Sequence, residues 1–209
     1  MEAIRNEVMR GLSIPAGMMV PPGVVGYSPE LDRRLPYAPG TANALLVEAG
    51  YPEGFGVTLD CPNNRYINDE AICRAIAAQL REVAIKVAVY SQRKDVIFAK
   101  HDNRETDFYL LGWAPHDSHE VLVRHYRTGG GENAAGYSDP RVDELIDKID
   151  REMVTYARDA MIEEAWKIVL EDIVYIPLHN QVIVWAMRDS FDIPVHPFNR
   201  PNFREARFE

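Results

Sequence analysis

Long apolar runs, clustered basic residues and familiar catalytic motifs are all missing from this 209-residue sequence. No stretch approaches the roughly 18 apolar residues of a membrane-spanning helix, so direct membrane insertion is not expected. The 23 Lys and Arg are outnumbered by 32 Asp and Glu, which argues against nucleic acid and anionic membrane surfaces as partners. No phosphate loop, dinucleotide fingerprint, nucleophile elbow or zinc-protease motif is present. The sequence therefore predicts neither an enzyme nor a cofactor.

Cysteine is also scarce, with Cys61 and Cys73 as the two examples. The residues alone leave two interpretations open. Both thiols could be reduced and buried in the core, or they could form a disulfide between the end of a strand and a helix. A zinc site is disfavoured because their spacing is not that of a CxxC pair.

Hydrophobic periodicity predicts a mixed α/β domain. Residues 57–60 and 85–90 are typical of strands, and the amphipathic helix between them is expected to begin near Asn68. Strand, helix and strand in succession favour a sheet covered by helices. The apolar run at residues 108–113 predicts a further buried strand, and Asp139-Pro140 predicts the start of a helix. Further helices are expected at residues 41–49, 95–100 and 157–169, and late strands at residues 174–178 and 182–187.

Side chains suited to ligand binding follow two of the predicted strands. Asn63, Arg65 and Tyr66 come after the first, and Trp113, His116 and Asp117 come after the apolar run. Ligands of open α/β sheets bind just beyond strand ends. An arginine can clamp a carboxylate, an aspartate can hold an ammonium group, and a tryptophan can bury side chains without sequence preference. Together these groups would suit a zwitterion such as a peptide, although each could be an ordinary loop residue.

Histidines near the second of these loops are the densest set of possible metal ligands. If residues 118–126 are helical, His119 and His125 lie on different faces and cannot share one metal ion. No metal site is therefore predicted, and solvent-exposed loop histidines are the simpler interpretation.

Six segments, in order, carry a resemblance to a known family: residues 3–11 with Pro15-Ala16, residues 20–27, residues 37–39 with 44–52, residues 110–113, residues 136–146 and residues 173–178. They resemble the C-terminal half of the bacterial extracellular solute-binding proteins of family 5, which serve ABC importers of dipeptides, oligopeptides and nickel. The resemblance implies one lobe of a two-lobed type II periplasmic binding protein, with a mixed sheet flanked by helices. Residues 1–187 would form the C-terminal ligand-binding lobe, and residues 188–209 a tail that returns toward a first lobe outside this sequence.

The resemblance also implies roles for individual residues. Arg65 occupies the loop in which dipeptide-binding relatives hold the peptide carboxylate. Relatives place an aspartate for the amino group soon after the Gly-Trp pair, whereas this sequence has His116 there and Asp117 one residue later. Cys61 and Cys73 resemble a subgroup with both cysteines, and an oxidising periplasm would favour a disulfide between them.

The function implied is capture of peptides by hinge closure, with a membrane permease as partner. The first residues lack the apolar segment of a secretory signal, which alone would favour a cytoplasmic protein. The resemblance instead implies a periplasmic protein whose signal lies outside this sequence. Two alternatives stay open: a nickel or metal-chelate binding protein, for which the His116 region is the cue, and a sensory ligand-binding domain of a regulator.

Overall fold

The computed structural model describes residues 1–195 and 199–208, and a three-stranded parallel sheet lies at its centre. Strand β2 (Gly56–Pro62) runs between β3 (Lys86–Gln92) and β4 (Phe108–Tyr109). Because all three strands are parallel, their carboxyl ends meet at one edge of the sheet. The remaining strands are β1 (Ser13–Pro15), β5 (His179–Gln181), β6 (Phe191–Asp192) and β7 (Arg207–Phe208), paired antiparallel as β1–β5 and β6–β7.

Six α-helices surround these strands. They are α1 (Pro39–Glu48), α2 (Asp69–Leu80), α3 (Lys94–Asp102), α4 (Ser118–Val121), α5 (Pro140–Ile149) and α6 (Thr155–Glu171). A π-helical turn, Leu122–Tyr126, continues α4, and another lies near the N-terminus at Ile4–Val8. The predicted mixture of helices and strands is confirmed, including the helix start at Asp139, whose carboxylate accepts from the Arg141 backbone N–H.

The unit β2–α2–β3 was expected from the alternating pattern and is confirmed. Helix α2 buries Ile72, Cys73 and Ala77. Cys73 packs against Leu59 of the central strand, whereas Ile72 packs against Ile4 and Met9 near the N-terminus. A disulfide joins Cys61 at the end of β2 to Cys73 in α2, across 6.4 Å between Cα atoms. The pairing implied by the family resemblance is therefore confirmed, and it ties the loop between β2 and α2 at both ends.

The largest apolar core lies among the helices rather than under the sheet. Trp166 of α6, Tyr126 of the π-helical turn and Ile146 of α5 are at most 2% exposed and pack in one cluster. Tyr126 meets the Trp166 ring edge to face, with 5.7 Å between centroids. The apolar stripe of α5, spaced three and four residues apart, buries one side of that helix because such spacing lines one helical face.

The proline-rich segment before α1 is held by one carboxylate. Asp32 accepts from the backbone N–H groups of Gly17 and Met18, at 2.5 and 3.1 Å, and from the Tyr27 hydroxyl at 3.0 Å. Met18 and Val20 are thereby fixed in the main core, where both are almost fully buried. The backbone of this stretch is largely irregular, yet Met18 and Val20 belong to the interior.

Expectations for two parts of the chain are wrong. The apolar run at residues 108–113 pairs with β2 through β4 alone, since the chain then turns toward Tyr66. Residues 174–178 and 182–187, all of them described, form no strand; the three-residue β1 offers a partner only to β5. The expected helix start near Asn68 is confirmed, because α2 begins at Asp69; the Asn68 backbone is left-handed, with φ of 58°, and its side chain makes no cap.

Candidate functional site

The loop that follows β2 presents Arg65 and Tyr66. Both backbone N–H groups donate to the same carboxylate oxygen of Asp69, each at 3.0 Å. The Arg65 guanidinium carbon lies 5.1 Å from the centroid of the Tyr66 ring, within the range of a cation–π contact. No described carboxylate lies within ion-pair distance of Arg65, so its donors can reach a ligand.

Tyr66 connects this loop to the segment that follows β4. Its hydroxyl donates to the Gly112 carbonyl oxygen at 3.2 Å. A Cβ atom on residue 112 would lie 2.7 Å from the Cε1 atom of the Tyr66 ring, so glycine is required for this close approach. The two strand-end loops are therefore in contact, and Trp113 is placed beside Tyr66.

Trp113 is packed between charged and aromatic groups. The Arg124 guanidinium carbon lies 5.6 Å from the centroid of its ring, and His125 meets the ring edge to face at 4.7 Å. Arg124 is itself oriented by Glu120, with 3.2 Å between Nε and the carboxylate. These contacts hold the indole in one orientation.

His125 lies behind Trp113 with no measurable exposure, and neither ring nitrogen has a hydrogen-bond partner among the described residues. Burial lowers the pKa of His125 from 6.5 to about 4, and the charges of His101 and Arg124 contribute in the same direction. The imidazole is therefore neutral at pH 7 and acts as an aromatic packing group.

His116 and Asp117 lie at the N-terminus of α4 and have different surroundings. Glu120 accepts from the backbone N–H of His116 at 3.0 Å and contacts its Nδ1 atom at 3.2 Å. The N–H of His116, followed by its side chain and Arg124, lowers the pKa of the Glu120 carboxyl. Asp117 caps the helix instead, since its carboxylate accepts from the Glu120 backbone N–H at 2.7 Å.

A large cleft of about 2180 Å³ opens along these two loops. Four of the six residues singled out from the sequence line it: Arg65, Tyr66, Trp113 and His116. Asn63 and Asp117 do not; the Asn63 backbone N–H donates to Gln92 at the end of β3, and Asp117 serves as the cap described above.

Two tyrosines in the cleft wall were missed by the sequence analysis. Tyr109 and Tyr175 both line it, and their hydroxyls are 3.1 Å apart. Burial raises the pKa of both phenols, so each remains protonated and able to donate a hydrogen bond at neutral pH. Both lie in segments predicted as strands, where tyrosine is common and does not by itself indicate a binding site. The signal available in the sequence was one polar hydroxyl within each segment.

The histidines discussed as metal ligands are separated. His116 contacts Glu120, His119 lies 3.2 Å from Asp150, and His125 is enclosed by aromatic rings. Across residues 1–195 and 199–208, no group of three or more His, Cys, Asp or Glu side chains is placed to hold a metal ion. Every helix in that part of the chain is too short or too polar to cross a membrane.

Known proteins resemble this chain in sequence and in fold. The di/tripeptide-binding protein 2 of Pseudomonas aeruginosa is 28% identical over 189 residues, which are 84% of this chain and 34% of that protein. HbpA2 from Haemophilus parasuis superposes on all of this chain, and on 42% of its own, with a TM-score of 0.86 and 21% identity. A dipeptide binding protein from Pseudoalteromonas sp. SM9913, solved with Met-Leu, covers all of this chain and 43% of its own, with a TM-score of 0.80 and 21% identity.

The chain thus spans about a third of the length of the first of these relatives, and less than half of each solved structure. The structural likeness shows that it has the mixed α/β fold of one lobe of two-lobed periplasmic binding proteins, as the resemblance implied. A family model described as bacterial extracellular solute-binding proteins, family 5 Middle, matches residues 1–133, well over half of the sequence. The chain therefore belongs to the bacterial extracellular solute-binding proteins of family 5.

Proposed function

We propose that this chain is a ligand-binding lobe of the substrate-binding component of an ABC importer, and that its ligands are peptides. The observation that carries the proposal is the convergence of Arg65 and Trp113 on one cleft, from loops that follow two parallel strands. The names of the relatives point the same way, since several are di/tripeptide-binding proteins. In this proposal the protein binds and releases its ligand unchanged and is not an enzyme.

Each cleft residue has a role in this proposal. Arg65 pairs with the peptide carboxylate through two parallel hydrogen bonds. Tyr66 and Trp113 bury ligand side chains against their rings, and His116 contributes a polar contact at the rim. Asn63 and Asp117 act from behind the cleft wall, because their observed contacts are with the protein backbone.

The open side of the cleft requires a covering partner. Leu35, Tyr37 and Ile176 line it and are 76%, 80% and 58% exposed, which is unusual for side chains of this size. We propose that residues 1–187 form one lobe, that residues 188–209 return toward a second lobe, and that this second lobe closes over the ligand by hinge motion. Contacts from both lobes would then stabilise the closed state, which a membrane permease recognises. The family is extracellular, and the periplasm is the proposed compartment.

Thermal unfolding of the two-lobed protein tests the proposal directly. Dipeptides, longer peptides, and nickel with and without a chelator would be compared. A peptide at about 100 times its Kd should add about 2.7 kcal/mol to the free energy of unfolding and raise the midpoint. A shift with nickel alone would contradict the peptide assignment.

Arg65→Ala identifies the site within the same assay. We expect peptide binding to weaken by at least about 1.5 kcal/mol, the lower end for a hydrogen bond to a charged group. Arg151→Ala is the matched control, because Arg151 is exposed and does not line the cleft. Unchanged affinity in Arg65→Ala would rule out the carboxylate role, whatever the unfolding assay shows.

A further inference from the structure

The loop that carries Arg65 is organised by a buried carboxylate. Asp69, the first residue of α2, is 6% exposed. One of its oxygens accepts from the backbone N–H groups of Arg65 and Tyr66, and the other accepts from the N–H of Glu70, all at 3.0 Å. Two of these three bonds therefore reach back into the loop, rather than forward into the helix that Asp69 begins.

This arrangement differs from ordinary helix capping elsewhere in the chain. Asp139 also precedes a helix, but its carboxylate bonds the backbone N–H and side chain of Arg141, within its own helix. Asp69 instead fixes the two residues whose side chains enter the cleft. Its own position is secured by the Cys61–Cys73 disulfide, which spans it, and by the 3.4 Å contact between the Cys61 sulfur and the Asp69 carbonyl oxygen.

Asp69 affects the position of the Arg65 guanidinium through Tyr66. With its backbone held by Asp69 and its hydroxyl on Gly112, the Tyr66 ring is fixed at both ends. The Arg65 guanidinium lies over that ring, so the ring limits the positions open to it. Orientation of a flexible side chain before binding lowers the entropy lost on binding.

We infer that Asp69 is a positioning residue that pre-orients Arg65 for a ligand carboxylate. This inference rests on the proposed function, because it assigns Asp69 to the same site. Asp69 itself does not line the cleft. The part of its effect that is specific to the ligand carboxylate is therefore predicted to depend on the Arg65 side chain, and a residue that only stabilised α2 would show no such dependence.

The binding test compares one peptide with a free carboxylate against the same peptide with a C-terminal amide, measured by calorimetry on the two-lobed protein. Asp69→Ala should weaken binding of the carboxylate form about ten-fold and of the amide form far less. In the Arg65→Ala background, Asp69→Ala should weaken the acid and the amide equally, and only by the smaller amount that comes through Tyr66. Equal losses for acid and amide in the parent background, or a loss specific to the acid that persists in the Arg65→Ala background, would overturn the inference.

Asp69→Asn provides a second variant in case Asp69→Ala folds poorly. Asparagine keeps one acceptor oxygen for the Arg65 and Tyr66 N–H groups. The loss of peptide affinity in Asp69→Asn should therefore be smaller, but it should show the same dependence on Arg65. Asp139→Ala is the matched control, and we expect it to lower stability without changing either affinity.

Hydrogen exchange separates this inference from the proposed function. In the ligand-free protein, the amides of Arg65 and Tyr66 should be protected, and Asp69→Ala should speed their exchange at least about ten-fold. Asp139→Ala should leave both unchanged. If no peptide binds but this effect is seen, the proposed function fails while the positioning of the loop stands. Unchanged exchange in Asp69→Ala would overturn the positioning role irrespective of ligand.

Discussion

Burial of His125 makes the stability of the protein depend on pH. Burial lowers its pKa to about 4, whereas an unfolded histidine titrates near 6.5. Between these values the unfolded chain binds a proton that the native protein does not, so the free energy of unfolding decreases as the pH is lowered. The contribution of neutral His125 is therefore complete above about pH 6.5 and is lost progressively toward about pH 4.

His125→Phe should remove this part of the pH dependence, because phenylalanine preserves an aromatic ring against Trp113. When the pH is lowered from 7 to 4.5, the free energy of unfolding should decrease in both proteins. We expect the decrease to be about 2 kcal/mol smaller in the variant than in the parent. Urea unfolding at both pH values measures the difference. His116→Gln, at an exposed histidine, is the control. Identical losses in parent and His125→Phe would show that His125 is protonated in the native protein.

Gly112 is the residue whose missing side chain matters most to the cleft. An added Cβ would meet the Tyr66 ring at 2.7 Å and displace the hydroxyl from the Gly112 carbonyl. We expect Gly112→Ala to cost about 1–3 kcal/mol of stability and to weaken peptide binding through Arg65. Gly40→Ala in α1 meets no atom within 4 Å and should be neutral or stabilising. Equal peptide affinities in Gly112→Ala and Gly40→Ala would contradict a role in binding for the contact between Tyr66 and Gly112.

At the scale of elements, the disulfide between β2 and α2 closes the loop that carries Arg65. It encloses the residues between Cys61 and Cys73, including Arg65 and Asp69. Closing a loop of this size restricts the unfolded chain by about 3 kcal/mol in the chain-entropy model. The double variant Cys61→Ser/Cys73→Ser should lose stability of that order, as measured by urea unfolding.

Thiol titration of the denatured, unreduced protein provides the chemical check. We expect no reactive thiol before reduction and two afterwards. Two free thiols without reduction would contradict the bond. A stability loss in the serine variant under reducing conditions, where parent and variant should match, would show that packing of the sulfur atoms is responsible instead.

Sequence periodicity predicted well those elements whose pattern lies entirely within their own residues. The stripe of α5 and the alternation of β3 are local, and both elements formed as expected. The late strands failed because strand formation depends on a partner, and β1 offers only three residues to that part of the chain. The apolar run after Asp107 contributes only the two residues of β4, because the chain then turns toward Tyr66.

At the scale of the whole molecule, the proposed hinge closure has a measurable consequence. A peptide that binds should lower the radius of gyration of the two-lobed protein in solution, because closure brings the lobes together around it. Small-angle X-ray scattering with and without peptide checks this. Arg65→Ala at the same peptide concentration is the control and should stay closer to the open form. A radius unchanged at saturating peptide would rule out closure as the response.

Sequence by itself determined the α/β class, the loops that line the cleft and, through motifs in order, the family, because each depends on local pattern or residue identity. Arg65 and Trp113 could be singled out because strand ends are where ligands bind. Only the tertiary structure decided that Asp117 caps a helix, that Asp69 holds the Arg65 loop, and that Tyr109 and Tyr175 line the cleft. Those facts depend on which residues the sheet edge and the helical core bring together. Contacts between residues distant in sequence are set by packing of the whole chain, which no local pattern encodes.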